Sequence, residues 1–134
     1  MDGPIRTPTD PILTLAQWFS PAYPVGSFAY SHGLEWLVET GAVRDATTLR
    51  SWLEDILEHG SGHTDAIFLA AAFRADGASA LAAIDEAARA FAPSKERLME
   101  TDLQGAAFCR IAASVHGFDF PPLTYPVAIG RAAR

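Results

Sequence analysis

Leu49, Trp52, Leu53, Ile56 and Leu57 stand at i, i+3, i+4, i+7 and i+8, the spacing that lines one face of an α-helix. Nowhere does the chain show the alternation of a half-buried strand, and no Asn-Gly or Asp-Gly turn sits between apolar runs. Together these features predict an all-α, single-domain helical bundle of six to seven helices with short connections. A chain of 134 residues has room for one domain and buries roughly two thirds of its unfolded surface, so it needs neither a disulfide nor a metal to fold.

The helix boundaries follow from local chemistry. Residues 1–10 read as a flexible N-terminal arm, because Pro4 and Pro8 lack amide donors and no apolar cluster follows closely. The helical domain is placed at 11–134. Asp10-Pro11 supplies an N-cap carboxylate and a first-turn proline for a short apolar helix that Ser20-Pro21 ends. The stretch SPAYPVGSFAYSHG, residues 20–33, mixes prolines, glycines and aromatics and reads as a stiff, packed loop. A helix is expected to resume by Ser31 and to stop at Gly41. Asp45 caps the next helix, which Gly60 and Gly62 break. From Asp65 a further helix, apolar on nearly every side, is assigned to the middle of the bundle. Asp76-Gly77 stops it, and an alanine-rich helix follows over 78–92. Ser94 caps a long helix that runs to Gly117, and Pro126 opens a last one.

Charge and cysteine content narrow the function classes. A net charge of −6 makes unaided binding to a phosphate backbone a poor fit, so no nucleic-acid partner is expected. The single cysteine, Cys109, allows no internal disulfide and no cysteine-rich zinc site. No apolar run approaches the ~20 residues of a membrane span, and the polar, proline-rich start lacks the pattern of a signal peptide. The expected compartment is the cytoplasm, with no membrane partner.

The candidate chemistry is sparse. His59 and His63 are four apart, the spacing that puts two metal ligands on one helix face, with Glu58 and Asp65 nearby. Gly60 and Gly62 interrupt that helix, and a solvated helix end is the simpler account. Ala29-Tyr30-Ser31-His32-Gly33 faintly resembles a nucleophile elbow but lacks the required sheet, so Ser31 reads as a helix-entrance residue. Cys109, amid Ala106, Ala107, Phe108 and Ile111, reads as buried and inert. The carboxylate pairs Glu54/Glu58 and Asp85/Glu86 read as solvated helix faces. Trp18, Trp36 and Trp52 read as core anchors, any exposed one being free to anchor a partner. Neither a phosphate loop nor a dinucleotide fingerprint occurs. No catalytic constellation stands out, which points to a binding or scaffold protein and not an enzyme.

Three segments carry a family resemblance. SPAYPVGSFAYSHGLE resembles the signature of the urease accessory protein UreF family through Ser20, Pro21, Pro24, Gly26, Phe28, Tyr30, Ser31, Gly33, Leu34 and Glu35. PSKERLMETDLQG is similar to a second family segment through Ser94, Lys95, Glu96 and Gly105, and YPVAIG to a third through Pro126 and Gly130. The resemblance covers the chain from Pro11 onward. It implies an all-α, non-catalytic protein that helps load nickel into urease. The implied partners are a second accessory protein, UreD or UreH, the GTPase UreG, and apo-urease, with homodimers also formed. Nickel is the cargo and no resident cofactor is implied. The family usually continues well past YPVxxG, so a chain stopping at Arg134 reads as lacking C-terminal helices, with apolar surface left uncovered.

Two readings of the first motif stand side by side. Phe28, Tyr30, Ser31 and Glu35, with Lys95 and Glu96, form a candidate partner-binding set, since tyrosine offers both an apolar face and a hydroxyl. Alternatively the motif is a turn fixing two helices, with Glu35 as an internal cap, while Lys95 and Glu96 belong to a solvated helix start. A nickel carrier using His59 and His63 is the competing function.

Overall fold

The computed structural model describes residues 10–134 apart from the side chain of Phe28. The predicted arm therefore lies, but for Asp10, outside the described residues. Seven α-helices follow in order: α1 Pro11–Trp18, α2 Leu34–Glu39, α3 Ala46–Glu58, α4 Ser61–Arg74, α5 Gly77–Ala90, α6 Lys95–His116 and α7 Tyr125–Ala132. A single 3-10 turn, Ser27–Ala29, lies in the loop between α1 and α2. Among the described residues there is no strand, and the all-α expectation holds.

The caps act as their residue types predict. The Asp10 carboxylate accepts from the Ile12 amide at 2.9 Å, and Pro11 opens α1. Asp45 accepts from the Thr48 amide at 2.8 Å while Thr48 Oγ1 accepts from the Asp45 amide at 3.1 Å, closing a reciprocal capping box on α3. Ser94 Oγ accepts from the Arg97 amide at 3.1 Å at the head of α6.

Two boundaries differ from expectation. The helix after the proline-glycine loop does not resume by Ser31. His32 and Gly33 have φ of 53° and 82°, a left-handed pair that no α-helix contains, so α2 starts at Leu34. Further on, only His59 and Gly60 separate α3 from α4, which starts at Ser61 and not at Asp65, so Gly62 lies inside α4. A Cβ at Gly60 would come within 3.0 Å of Ile56 Cα, so a side chain in this tight turn would press on the backbone of α3.

Helix α7 is the inner element. Pro126, Val127, Ala128, Ile129 and Gly130 are all buried, and α4, α5 and α6 pack around it. Helix α4, expected at the centre, does touch α3, α5 and α7, but its only fully buried residue is Ala72, and Ile67 and Phe73 are exposed. The reason lies in residue size. Glycine and alanine let backbones approach, and α7 uses this on both sides. A Cβ at Gly130 would overlap the Leu69 carbonyl of α4 and stand 3.0 Å from Ala72 Cβ. A Cβ at Gly105 would overlap the Leu123 carbonyl and come within 2.7 Å of Tyr125 N. The two glycines thus set how closely α7 lies against α4 and its entry lies against α6.

Phe108 centres the core. Trp18 meets it edge-on at 5.3 Å between ring centroids, with Tyr23 at 5.7 Å and Tyr125 at 6.3 Å. Of the three tryptophans only Trp18 is buried; Trp52 is half-buried and Trp36 is 65% exposed.

One carboxylate contradicts the solvated-face reading. Asp85 is buried, and its Oδ1 accepts from the Thr124 amide at 2.7 Å and the Thr124 hydroxyl at 2.8 Å. Its Oδ2 accepts from Arg89 Nε at 2.9 Å, and Arg89 also pairs with Asp102. The carboxylate thus ties the entry of α7 to α5, which explains why a charge tolerates burial here. Its neighbour Glu86 is exposed, as are Glu54, paired with Arg50 at 2.7 Å, and Glu58.

Candidate docking site at the loop and α6 junction

The first motif folds into a surface loop pinned at both ends. Ser20 Oγ accepts from the Ala22 amide at 3.2 Å, and the Ser20 carbonyl accepts from the Tyr23 amide at 2.9 Å, so the chain turns at once after α1. Tyr23 and Val25 then enter the core, while Pro21 and Pro24 stay exposed. Gly26 and Gly33 both have φ of 82°, which explains glycine at these two motif positions. Leu34, half-buried, begins α2.

Ser31 and Glu35 are joined to each other. The Ser31 hydroxyl donates to Glu35 Oε2, one turn along. That bond, together with the Glu35 amide, holds the Glu35 carboxyl below its ordinary range. Glu35 is nevertheless exposed, and so is Trp36 beside it. The side chain of Phe28 lies outside the described residues; Tyr30 is half-buried.

A buried polar row on α6 meets the loop from below. His32 Nε2 lies 3.9 Å from Glu100 Oε1, and Glu100 is only 6% exposed. Glu100 also pairs with Arg97 at 3.0 Å and accepts from Gln104 Nε2 at 3.1 Å. Arg97 reaches on to Asp65 of α4 at 2.5 Å. Burial pushes the Asp65 carboxyl up, against the pull of Arg97, which lowers it. Thr101 Oγ1 accepts from the Tyr125 amide at 3.2 Å, so the same row also holds α7.

The structure thus brings the loop motif to α6 through His32 and α7 to α6 through Thr101 and Gly105. It leaves Lys95 and Glu96 apart, exposed at the start of α6. Glu96 is held below its ordinary range by its own backbone amide and the Ser94 hydroxyl. Glu100 and Gln104 were not among the sequence candidates; Asp65 entered only beside the histidine pair, and Asp85 only as a solvated carboxylate. For the α6 members a signal existed: Arg97, Glu100, Thr101 and Gln104 recur at helical spacing in line with Phe108.

The two histidines fall on different elements. His59 follows the last turn of α3, and His63 lies in the first turn of α4, so one-helix spacing does not describe them. His59 faces its neighbour Glu58 at 4.0 Å, and both are exposed. Among the described residues no group of three or more histidine, cysteine or acidic side chains is arranged to hold a metal ion. Cys109 is buried, and burial pushes its thiol up.

The chain is an all-helical domain whose sequence motifs meet at a packed junction, with apolar side chains such as Ile12, Phe19 and Trp36 open at its surface. The family model for UreF matches residues 43–134. The urease accessory protein UreF of Ruegeria pomeroyi is 59% identical over 130 residues, covering 96% of this chain and 60% of the relative. Its namesake in Cereibacter sphaeroides is 55% identical over 122 residues, covering 91% and 57%, and that of Methylorubrum populi is 49% identical over 133, covering 90% and 59%. The chain therefore belongs to the UreF family of urease accessory proteins, and it spans about 60% of the length of these relatives. No solved structure matches it.

Proposed function

We propose that this chain is a docking subunit in nickel-dependent urease maturation with no turnover of its own. It binds a second accessory protein of the UreD/UreH type and through that complex recruits or modulates a UreG-type GTPase on apo-urease, as a monomer or homodimer in the cytoplasm. Nickel is the cargo of the assembly, not a cofactor of this chain. The observation that supports this most is the exposure of Trp36 at 65% beside Glu35, on a helix held through the motif loop to the buried row of α6. An aromatic next to an oriented carboxylate on a braced surface has the make-up of an interface hot spot.

The test is size-exclusion chromatography with light scattering on the chain co-expressed with its cognate second accessory protein, the GTPase being added in a second run. Co-elution at a defined stoichiometry, weakened by Trp36→Ala without loss of helicity, is the expected result. Elution of the chain alone while folded rejects docking by these residues. Calorimetry with nickel on wild type and His63→Ala addresses the carrier reading: micromolar binding lost in the variant would favour it over the scaffold.

A further inference from the structure

A cleft of about 280 Å³ opens between the α3–α4 turn, α4, the end of α5 and the start of α6, on residues that none of the family motifs had singled out for binding. Phe68 and Phe91 form one wall, ring edge to face at 5.8 Å between centroids, and Phe91 is 71% exposed at the rim. Asp65 and Arg97 form the polar side, with Thr64 and Ser61 adding hydroxyl oxygens.

The charge of this corner is unbalanced. Arg97 is shared by two carboxylates, Asp65 Oδ2 at 2.5 Å and Glu100 Oε2 at 3.0 Å. Glu100 stands behind Arg97, outside the cleft lining, and Asp65 is the carboxylate that faces the space. The cluster of one guanidinium and two carboxylates carries one negative charge, and among the described residues Asp65 Oδ1 takes no hydrogen bond. His32 approaches Glu100 from the loop side, and His59 with Glu58 stands exposed at the rim. Burial raises the Asp65 carboxyl and outweighs the pull of Arg97, while Glu100 nearby adds to the rise. An anion would find Arg97 already engaged twice. At about 280 Å³ the space sits at the small end for a ligand pocket, roughly 300–1,000 Å³, and has room for a single side chain.

We propose that this cleft receives one basic side chain, arginine or lysine, from a protein partner. The aliphatic stem lies along Phe68 and Phe91 and the cation rests on Asp65, with the aromatic faces adding cation–π attraction. The identity of the occupant as a protein rests on the docking function above; the cleft's preference for a cation does not.

The test titrates N-acetyl-arginine amide, and separately N-acetyl-norleucine amide, into the isotopically labelled chain and follows backbone amide resonances. Saturable shifts at Thr64, Phe68 and Phe91 with the arginine probe are expected. They should be roughly tenfold weaker in Asp65→Asn, the order of a charged hydrogen bond lost. Phe91→Ala, at an exposed position, should weaken them several-fold with the fold intact, which covers the case of an unstable Asp65 variant. Equal shifts from both probes, or none in the cleft, overturn the proposal. Co-elution with the accessory partners separates the two levels. A partner that binds wild type and Asp65→Asn alike removes the cleft as its anchor while the scaffold function stands. A partner that binds neither removes the scaffold function while the probe titration still decides the cleft.

Discussion

Asp85, buried, and Asp65, half-buried, show how differently two carboxylates on neighbouring helices behave. Asp85 is matched by three donors, so its removal leaves the buried Thr124 amide and hydroxyl without their acceptor and Arg89 with Asp102 alone. Asp85→Ala should cost about 3 kcal/mol, read as a lower urea midpoint, in line with other broken buried pairs. Asp65 is under-matched, and its folded carboxyl sits above the unfolded value. The folded state then holds that proton more tightly, so this group's contribution falls as pH rises from the unfolded value through the folded one and is flat above it. Chemical denaturation across the acid range should show this slope in wild type and lose it in Asp65→Asn. Neither role could be read locally: Thr124 is 39 residues from Asp85, and Arg97 is 32 from Asp65. A carboxylate on a helix looks alike whether its partner arrives from afar or not at all.

At the scale of elements, caps and breaks were legible because they depend on a few neighbouring residues. Asp10, Asp45 and Ser94 cap the helices they were expected to cap. The start of α2 was misplaced, since His32 and Gly33 tolerate the left-handed region but do not require it, and nothing local said that both would adopt it. Glycines inside helices carry a different meaning. Gly105 and Gly130 sit where a methyl group would strike backbone from another segment, and backbone cannot step aside as a side-chain tip can. Gly105→Ala and Gly130→Ala should each lower stability by at least the ~1–3 kcal/mol of an overpacked core, measured as a drop in thermal midpoint. Alanine is the better helix former, so a gain in stability would show that the close approach of α7 is not what these positions serve.

For the whole molecule, Cys109 offers a probe of cooperativity. It is buried on α6 against the core that α7 completes, and its thiol is pushed up by burial. Labelling by a thiol reagent at pH 8 should proceed at the rate of global opening and rise with urea as the far-UV signal falls; fast labelling of the folded chain would mean that α7 detaches on its own. The sequence by itself determined the all-α class, the order of the long helices, their caps and the three motifs that mark the family. These rest on helical period and on contacts within a few residues. Only the tertiary structure decided that short α7, not apolar α4, is the inner helix, that Trp36 is open, and that Asp65, Arg97 and Glu100 share a corner. Each of those outcomes depends on which distant surfaces meet, and on glycine and alanine letting them come close enough to exclude water.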